Sequence, residues 1–123
     1  WSFDAQLATR ASSLLLTFDQ GTGLEILKRV IRMSPESSPA LTLLASYNEQ
    51  KVNRGFGIEA REKLLILQPH DEANYVELIR DYLFIKQPAK AEELQVKLKT
   101  FALPATITST DVIIKEYYSG QAG

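Results

Sequence analysis

The chain has 123 residues, enough for one compact domain and not two. Hydrophobic residues make up 45%, which can fill a core and excludes a disordered chain. With 14 Lys and Arg against 15 Asp and Glu, the formal charge of −1 gives no electrostatic footprint for nucleic acid or an anionic membrane. The absence of cysteine excludes a disulfide framework, thiol catalysis and cysteine metal sites, and leaves the compartment open.

In chain order, Asp4 to Thr17 reads as a first helix, with Leu7, Ala11, Leu14 and Phe18 at helical spacing as its inward face. Phe18 to Gly21 reads as a turn. Thr22 caps a second helix that carries Leu24, Leu27, Val30 and Ile31 and stops before Pro35. Ser38 followed by Pro39 predicts a cap and a first helical position for a third helix that runs to about Lys51. After a turn over Val52 to Gly55, the fourth helix reaches Leu67 with Ile58, Leu64 and Leu65 inward. Asp71 caps a fifth, whose Tyr75, Leu78, Ile79 and Tyr82 share a face. Gln87-Pro88 breaks the chain, and Ala91, Leu94, Leu98 and Phe101 mark a sixth. After Pro104, the run Thr108 to Asp111 supplies N-caps for a short seventh helix with Val112, Ile113, Tyr117 and Tyr118, frayed from Gly120 to Gly123. The β-branched cluster at Val112 to Ile114 also suits a strand, but a lone strand would have nothing to pair with.

The block GTGLEILKRVIRMSP recurs in register as GFGIEAREKLLILQP. The offset is 55 − 21 = 34 residues at the first glycine and 69 − 35 = 34 at the proline. A fixed period of this size marks stacked repeats, each burying its apolar face on a neighbour. The register sets units at 4–37, 38–71 and 72–105, each a helical hairpin, and leaves 106–123 as a C-terminal capping helix and tail. The expected fold is an all-α, right-handed solenoid of antiparallel helix hairpins. Beginning at Trp1, with Met33 its one methionine, the chain is expected to be an excised piece of a longer protein or a processed form.

Over residues 4–102 the pattern resembles the tetratricopeptide repeat. The likeness rests on the period, on Pro35 and Pro69 closing their units, and on small residues at Ala11 and Ala45 and at Gly23, Gly57 and Ala91. In that family these small sites face each other where paired helices cross closely, so Gly57 is expected opposite Ala45 and an alanine at 57 is expected to be tolerated. The sequence departs from the family at Leu27, Arg61 and Gln95, where an aromatic is usual, and at Ile79, where a small residue is usual. The stretch from Ala60 to Leu83 also resembles the tail motifs of pentatricopeptide proteins, which makes an RNA-binding array the alternative reading.

The resemblance implies that a partner segment lies in a concave groove along the inner faces of the first helices. It places Ala8, Ser12, Leu15 and Leu16 there in the first unit, with Ala5 at its edge. Thr42, Ser46, Glu49 and Gln50 follow in the second, after Pro39, and Val76, Arg80, Leu83 and Phe84 in the third, after Ala73. Leu15, Leu16, Leu83 and Phe84 are too apolar for simple solvent-facing positions; a neighbouring helix, the tail or a partner must cover them. The family's clamp for C-terminal carboxylates needs Lys, Asn and Arg where this chain has Ala8, Ser12, Leu43, Ala73 and Glu77, so that clamp is rejected.

No catalytic constellation stands out. His70 is the one histidine, in a turn beside Asp71, with no second ligand type for a metal. Glu59, Glu62, Glu92 and Glu93 read as solvated helix faces, and the glycine pairs lack the strand and GxxxxGK[ST] string of a phosphate loop. Tyr117 and Tyr118 beside Lys115 could stack a base, but they better suit a stripe that closes the stack. The expectation is a protein-binding module, an adaptor, assembly factor or small chaperone, with no cofactor and no metal. Its partner is a protein or peptide segment within a multi-protein complex, and neither nucleic acid nor membrane. A terminal piece of a larger helical scaffold is the other alternative.

Overall fold

The computed structural model describes residues 3–51 and 53–122, so Trp1, Val52 of the expected turn and Gly123 lie outside the described residues. Among the described residues the chain is all-helical, with seven α-helices, one 3₁₀ turn and no strand.

Helices α1 (Ala5–Phe18) and α2 (Gln20–Met33) are joined by Asp19 alone. Its N–H closes α1 on the Leu15 carbonyl, and its carboxylate caps α2, accepting from the Thr22 N–H and hydroxyl at 3.2 and 2.8 Å. Those bonds hold the Asp19 carboxyl below its ordinary value. The turn expected over Phe18 to Gly21 therefore shrinks to one residue, and the cap is Asp19 rather than Thr22. Helix α3 (Ser38–Lys51) is capped by the Ser37 hydroxyl, which accepts from the Ala40 N–H at 3.4 Å, so the cap lies one residue before the expected Ser38. A 3₁₀ turn (Arg54–Gly57) leads into α4 (Ile58–Leu67). Helix α5 (Glu72–Phe84) has the expected Asp71 cap, accepting from the Asn74 N–H at 3.3 Å. Lys86 adopts the left-handed conformation, φ 62°, and α6 (Pro88–Leu98) follows with proline at its start.

The last helix is longer than expected. α7 (Pro104–Ala122) begins at its proline, not after Thr108, and continues through Gly120 without fraying. The TITSTDV run lies inside it, and Thr110 satisfies its hydroxyl on the Ile107 carbonyl at 2.8 Å. Read as caps, these threonines are helix interior, where a hydroxyl bonded back to the preceding turn is tolerated.

α1 packs on α2, α3 on α4 and α5 on α6; α2 then packs on α3, α4 on α5 and α6 on α7. α3 also lies beside α1, and α7 beside α5. In the second half of each unit, inward residues 34 apart share the same burial, whereas Leu7 and Ala11 of the first helix are exposed where Leu41, Tyr75, Ala45 and Ile79 are buried. Gly23, Gly57 and Ala91 are buried, as are Leu27, Arg61 and Gln95, and Val30, Leu64 and Leu98. The largest core cluster joins Tyr75, Leu78 and Ile79 of α5 to Leu94 and Leu98 of α6 and Ile114 of α7.

α1 turns its other face inward. Leu7, Leu14 and Phe18 are exposed, Phe18 at 83%, while Thr9, Ser12 and Leu16 are buried. The reason is the close approach of α2. A side chain at Gly23 would sit 2.7 Å from the Leu16 backbone nitrogen and 3.1 Å from the Ser12 carbonyl oxygen. Only small residues such as Ala8 and Ser12 let the backbones come that near; Leu7 and Leu14 would hold them apart. Gly23 thus crosses Ser12 to Leu16 and not Ala11. In the second unit the group nearest Gly57 is the Glu49 side chain, with a Cβ there 2.6 Å from its carboxylate.

Candidate functional site: two grooves and a buried ionic joint

The structure divides the expected groove in two. The first part runs between α1 and α3. One end is a hollow of about 550 Å³ that brings Arg10 and Ser13 to Thr42, Leu43 and Ser46. The other end is a hollow of about 440 Å³ that brings Leu16 and Thr17 to Tyr47, Gln50 and Lys51. Ser13, Leu43 and Ser46 line both, so the two are one channel. Earlier residues of α1 meet earlier residues of α3, and later meet later, so the two helices run parallel. Of the expected groove residues Leu16, Thr42, Ser46 and Gln50 line this channel. Ala8 and Leu15 are half-buried, and Ser12, fully buried, bonds the Ala8 carbonyl at 2.8 Å.

The second part lies between α5 and α7, a hollow of about 380 Å³ with Arg80, Leu83 and Phe84 on one wall and Ile113 and Tyr117 on the other. Leu83 is buried while Phe84 stays 54% exposed. Val76 is half-buried and lines neither hollow. α7 covers the end of the helix array through Ile114 and also forms one wall beside Phe84.

Between the two hollows a buried ionic cluster ties α3 to α5. Glu49, expected in the groove, is spent there. Arg61 on α4 donates to both its oxygens, from Nε at 3.0 Å and Nη2 at 2.7 Å. The Arg61 carbonyl accepts from the Asn74 amide at 3.0 Å. Arg54, in the 3₁₀ turn, pairs with Glu77 and places its Nε 3.2 Å from Asp81 Oδ1. Asp81 is fully buried, and among the described residues neither of its oxygens accepts a hydrogen bond from an N–H or a fixed hydroxyl.

Burial raises the Asp81 carboxyl, and a hydrogen bond to Glu49 together with that group's charge raises it further, to about 8, against the opposing pull of Arg54 and Arg61. The raised value favours the protonated form of Asp81 beside the charged Glu49. Burial also works to raise Glu49, but hydrogen bonds from Arg61 and Asp81 outweigh it and hold Glu49 below its ordinary value. For Arg61, burial opposes the charge and the bond to Glu49 restores it, leaving its value raised. The cluster thus sets three acids, Glu49, Glu77 and Asp81, against the guanidiniums of Arg54 and Arg61, with Arg80 3.8 Å from Glu77 at its edge.

Sequence reasoning placed Glu49 in the groove and Arg61 on a charged helix face, and did not single out Asp81. The usable signal was Arg61 itself: it occupies a site whose 34-residue equivalents are Leu27 and Gln95, and a charge at a buried repeat site demands a buried partner. Gln95 tells the same story, donating to Thr110 of α7 at 3.1 Å. His70 is an exposed turn residue whose ring rests 4.8 Å from that of Phe101. Among the described residues no cluster of acidic or imidazole groups could hold a metal. Comparison with known protein families, with curated proteins and with solved structures finds no match.

Proposed function

We propose that this chain is a protein-binding module, an adaptor or assembly factor built as a tetratricopeptide-like stack of three helical hairpins. The carrying observation is the channel between α1 and α3, open along its length and floored by Leu16 and Leu43 with polar groups on both rims. Two parallel helices held apart at their inner faces leave a trough suited to a chain segment rather than to a compact small molecule. The repeat reading draws support from the matching burial of residues 34 apart in the second half of each unit. The hollow beside Phe84 extends the interaction surface toward the C-terminal end.

Site-specific photocrosslinking tests this. A crosslinker at Ser46 in the channel, and one at exposed Lys28 as a control, are activated in extract from the source cells. Protein adducts specific to position 46 that vanish with Leu43→Glu support the reading. Equal adducts at both positions, or adducts indifferent to Leu43→Glu, would place binding elsewhere.

A further inference from the structure

The channel between α1 and α3 has a chemical bias. No carboxylate lines it, although acids outnumber bases in the whole chain. Its charged residues are Arg10 toward one end and Lys51 at the other, and among the described residues neither is ion-paired. The acids nearest in sequence are committed: Asp4 caps α1, Asp19 caps α2, and Glu49 is buried against Arg61.

Its polar rim has a period. Thr42, Ser46 and Gln50 lie four residues apart on α3 and so form one stripe, with a rung about every 6 Å. Among the described residues their side chains make no hydrogen bond, unlike Thr9 and Ser12, which bond back to carbonyls of their own helix. An extended peptide presents backbone N–H and C=O groups to one side every second residue, about 6.6 Å apart. The two repeats match closely enough for three successive contacts. Leu43 and Leu16 lie on the floor beneath them.

The ends set the spacing of charge. Arg10 lies level with Thr42 and Leu43 in the channel lining, and Lys51 is eight residues beyond Leu43, about 12 Å along α3. That is three or four residues of extended chain. We propose that the α1–α3 channel takes an extended peptide of about six residues, with two acidic residues three or four positions apart and an apolar side chain between them seated on Leu16. This rests on the protein-binding reading above and names the partner's chemistry. The observations favour a peptide over single-stranded nucleic acid: Tyr47 is the one aromatic in the lining, and a phosphate backbone would want a basic stripe rather than two separated cations.

The test is an NMR titration of the ¹⁵N-labelled chain with three synthetic peptides, GEALEG, GQALQG and GKALKG, and with octauridylate. GEALEG is expected to shift the amides around Ser13, Thr42, Ser46 and Gln50 and to bind at least tenfold more tightly than GQALQG. Arg10→Glu combined with Lys51→Glu should reverse the order, so that GKALKG binds best. Both cations are exposed surface residues, so the double variant is expected to fold, and its amide spectrum checks that. If GEALEG and GQALQG shift the same channel amides with equal affinity, the groove reading stands and the acidic specificity is overturned. If no peptide shifts these amides, or octauridylate does so more tightly than GEALEG, the inference is overturned with the groove reading.

Discussion

Arg61 grips both carboxylate oxygens of Glu49, at 3.0 and 2.7 Å, with both side chains almost wholly buried. A buried pair of this geometry adds little over a well-packed apolar pair, but leaving one member behind is costly. Arg61→Leu, which copies the equivalent Leu27, should therefore destabilise the chain by about 3–5 kcal/mol despite restoring the apolar residue. Glu49→Leu combined with Arg61→Leu should recover most of that loss. Urea unfolding of the two singles and the double closes the cycle, and additive losses would show that the pair is not coupled.

Asp81 makes stability depend on pH in a stated direction. Unfolded, its carboxyl titrates near 3.8; folded, near 8. Between those values the folded chain keeps a proton that the unfolded chain has released, so stability falls as pH rises through the window. The Glu49 contribution runs the other way but is complete once pH exceeds its ordinary 4.5. Melting temperature should decline from pH 5.5 to 8.5 by roughly 5 °C or more, since each kcal/mol moves a domain of this size by about 4 °C. Asp81→Asn keeps a donor for Glu49 and has nothing to titrate, so its profile should be flatter. A parallel decline in both proteins would assign the effect to other groups.

Gly23 and Gly57 occupy equivalent sites, yet substitution should act differently at each. A Cβ at Gly23 meets backbone atoms of Leu15 and Leu16 at 2.9 and 2.7 Å, which cannot yield without separating α1 from α2. Gly23→Ala should cost roughly 1–3 kcal/mol by overpacking. The atoms nearest a Cβ at Gly57 all belong to the Glu49 side chain, and that side chain is pinned by Arg61. Gly57→Ala, expected from sequence to be harmless, should instead disturb the ionic cluster. In the Glu49→Leu and Arg61→Leu background the cluster is gone, and the cost of Gly57→Ala should change. An identical cost in both backgrounds would break this account.

The hairpins were legible because their signals are local. Proline at 35 and 69, the Asp71 cap and the apolar spacing of α5 each act within a turn or two of helix. The rotation of α1 was not, because both its faces are apolar: Leu7, Leu14 and Phe18 on one, Ala8, Leu15 and Leu16 on the other. The choice between them is made by a backbone contact with Gly23 on another helix. The joint between α3 and α5 was hidden for a similar reason: Glu49 lies 12 residues from Arg61, and no local pattern connects them. The groove was placed by resemblance to a repeat family, and apart from Val76 the residues lost from it are those that this cluster and the packing of α1 consume.

The two faces of the C-terminal end separate by mutation. Ile114 is buried among Tyr75, Leu78 and Leu98, and Gln95 bonds Thr110 beside it. Removing residues 107–123 would bare that apolar surface, at about 25 cal/mol per Å². The truncated chain should melt lower and lose solubility. Ile114→Asp should do much the same through one buried carboxylate. Phe84→Glu sits across the hollow from Ile113 and Tyr117 but is half exposed already, so its melting temperature should stay near that of the unaltered chain. If the hollow beside α7 holds part of a partner, Phe84→Glu weakens capture of the protein crosslinked at Ser46 without unfolding the chain. If truncation instead leaves stability unchanged and strengthens capture, α7 is an occupant of the interaction surface rather than the wall that closes the helix array.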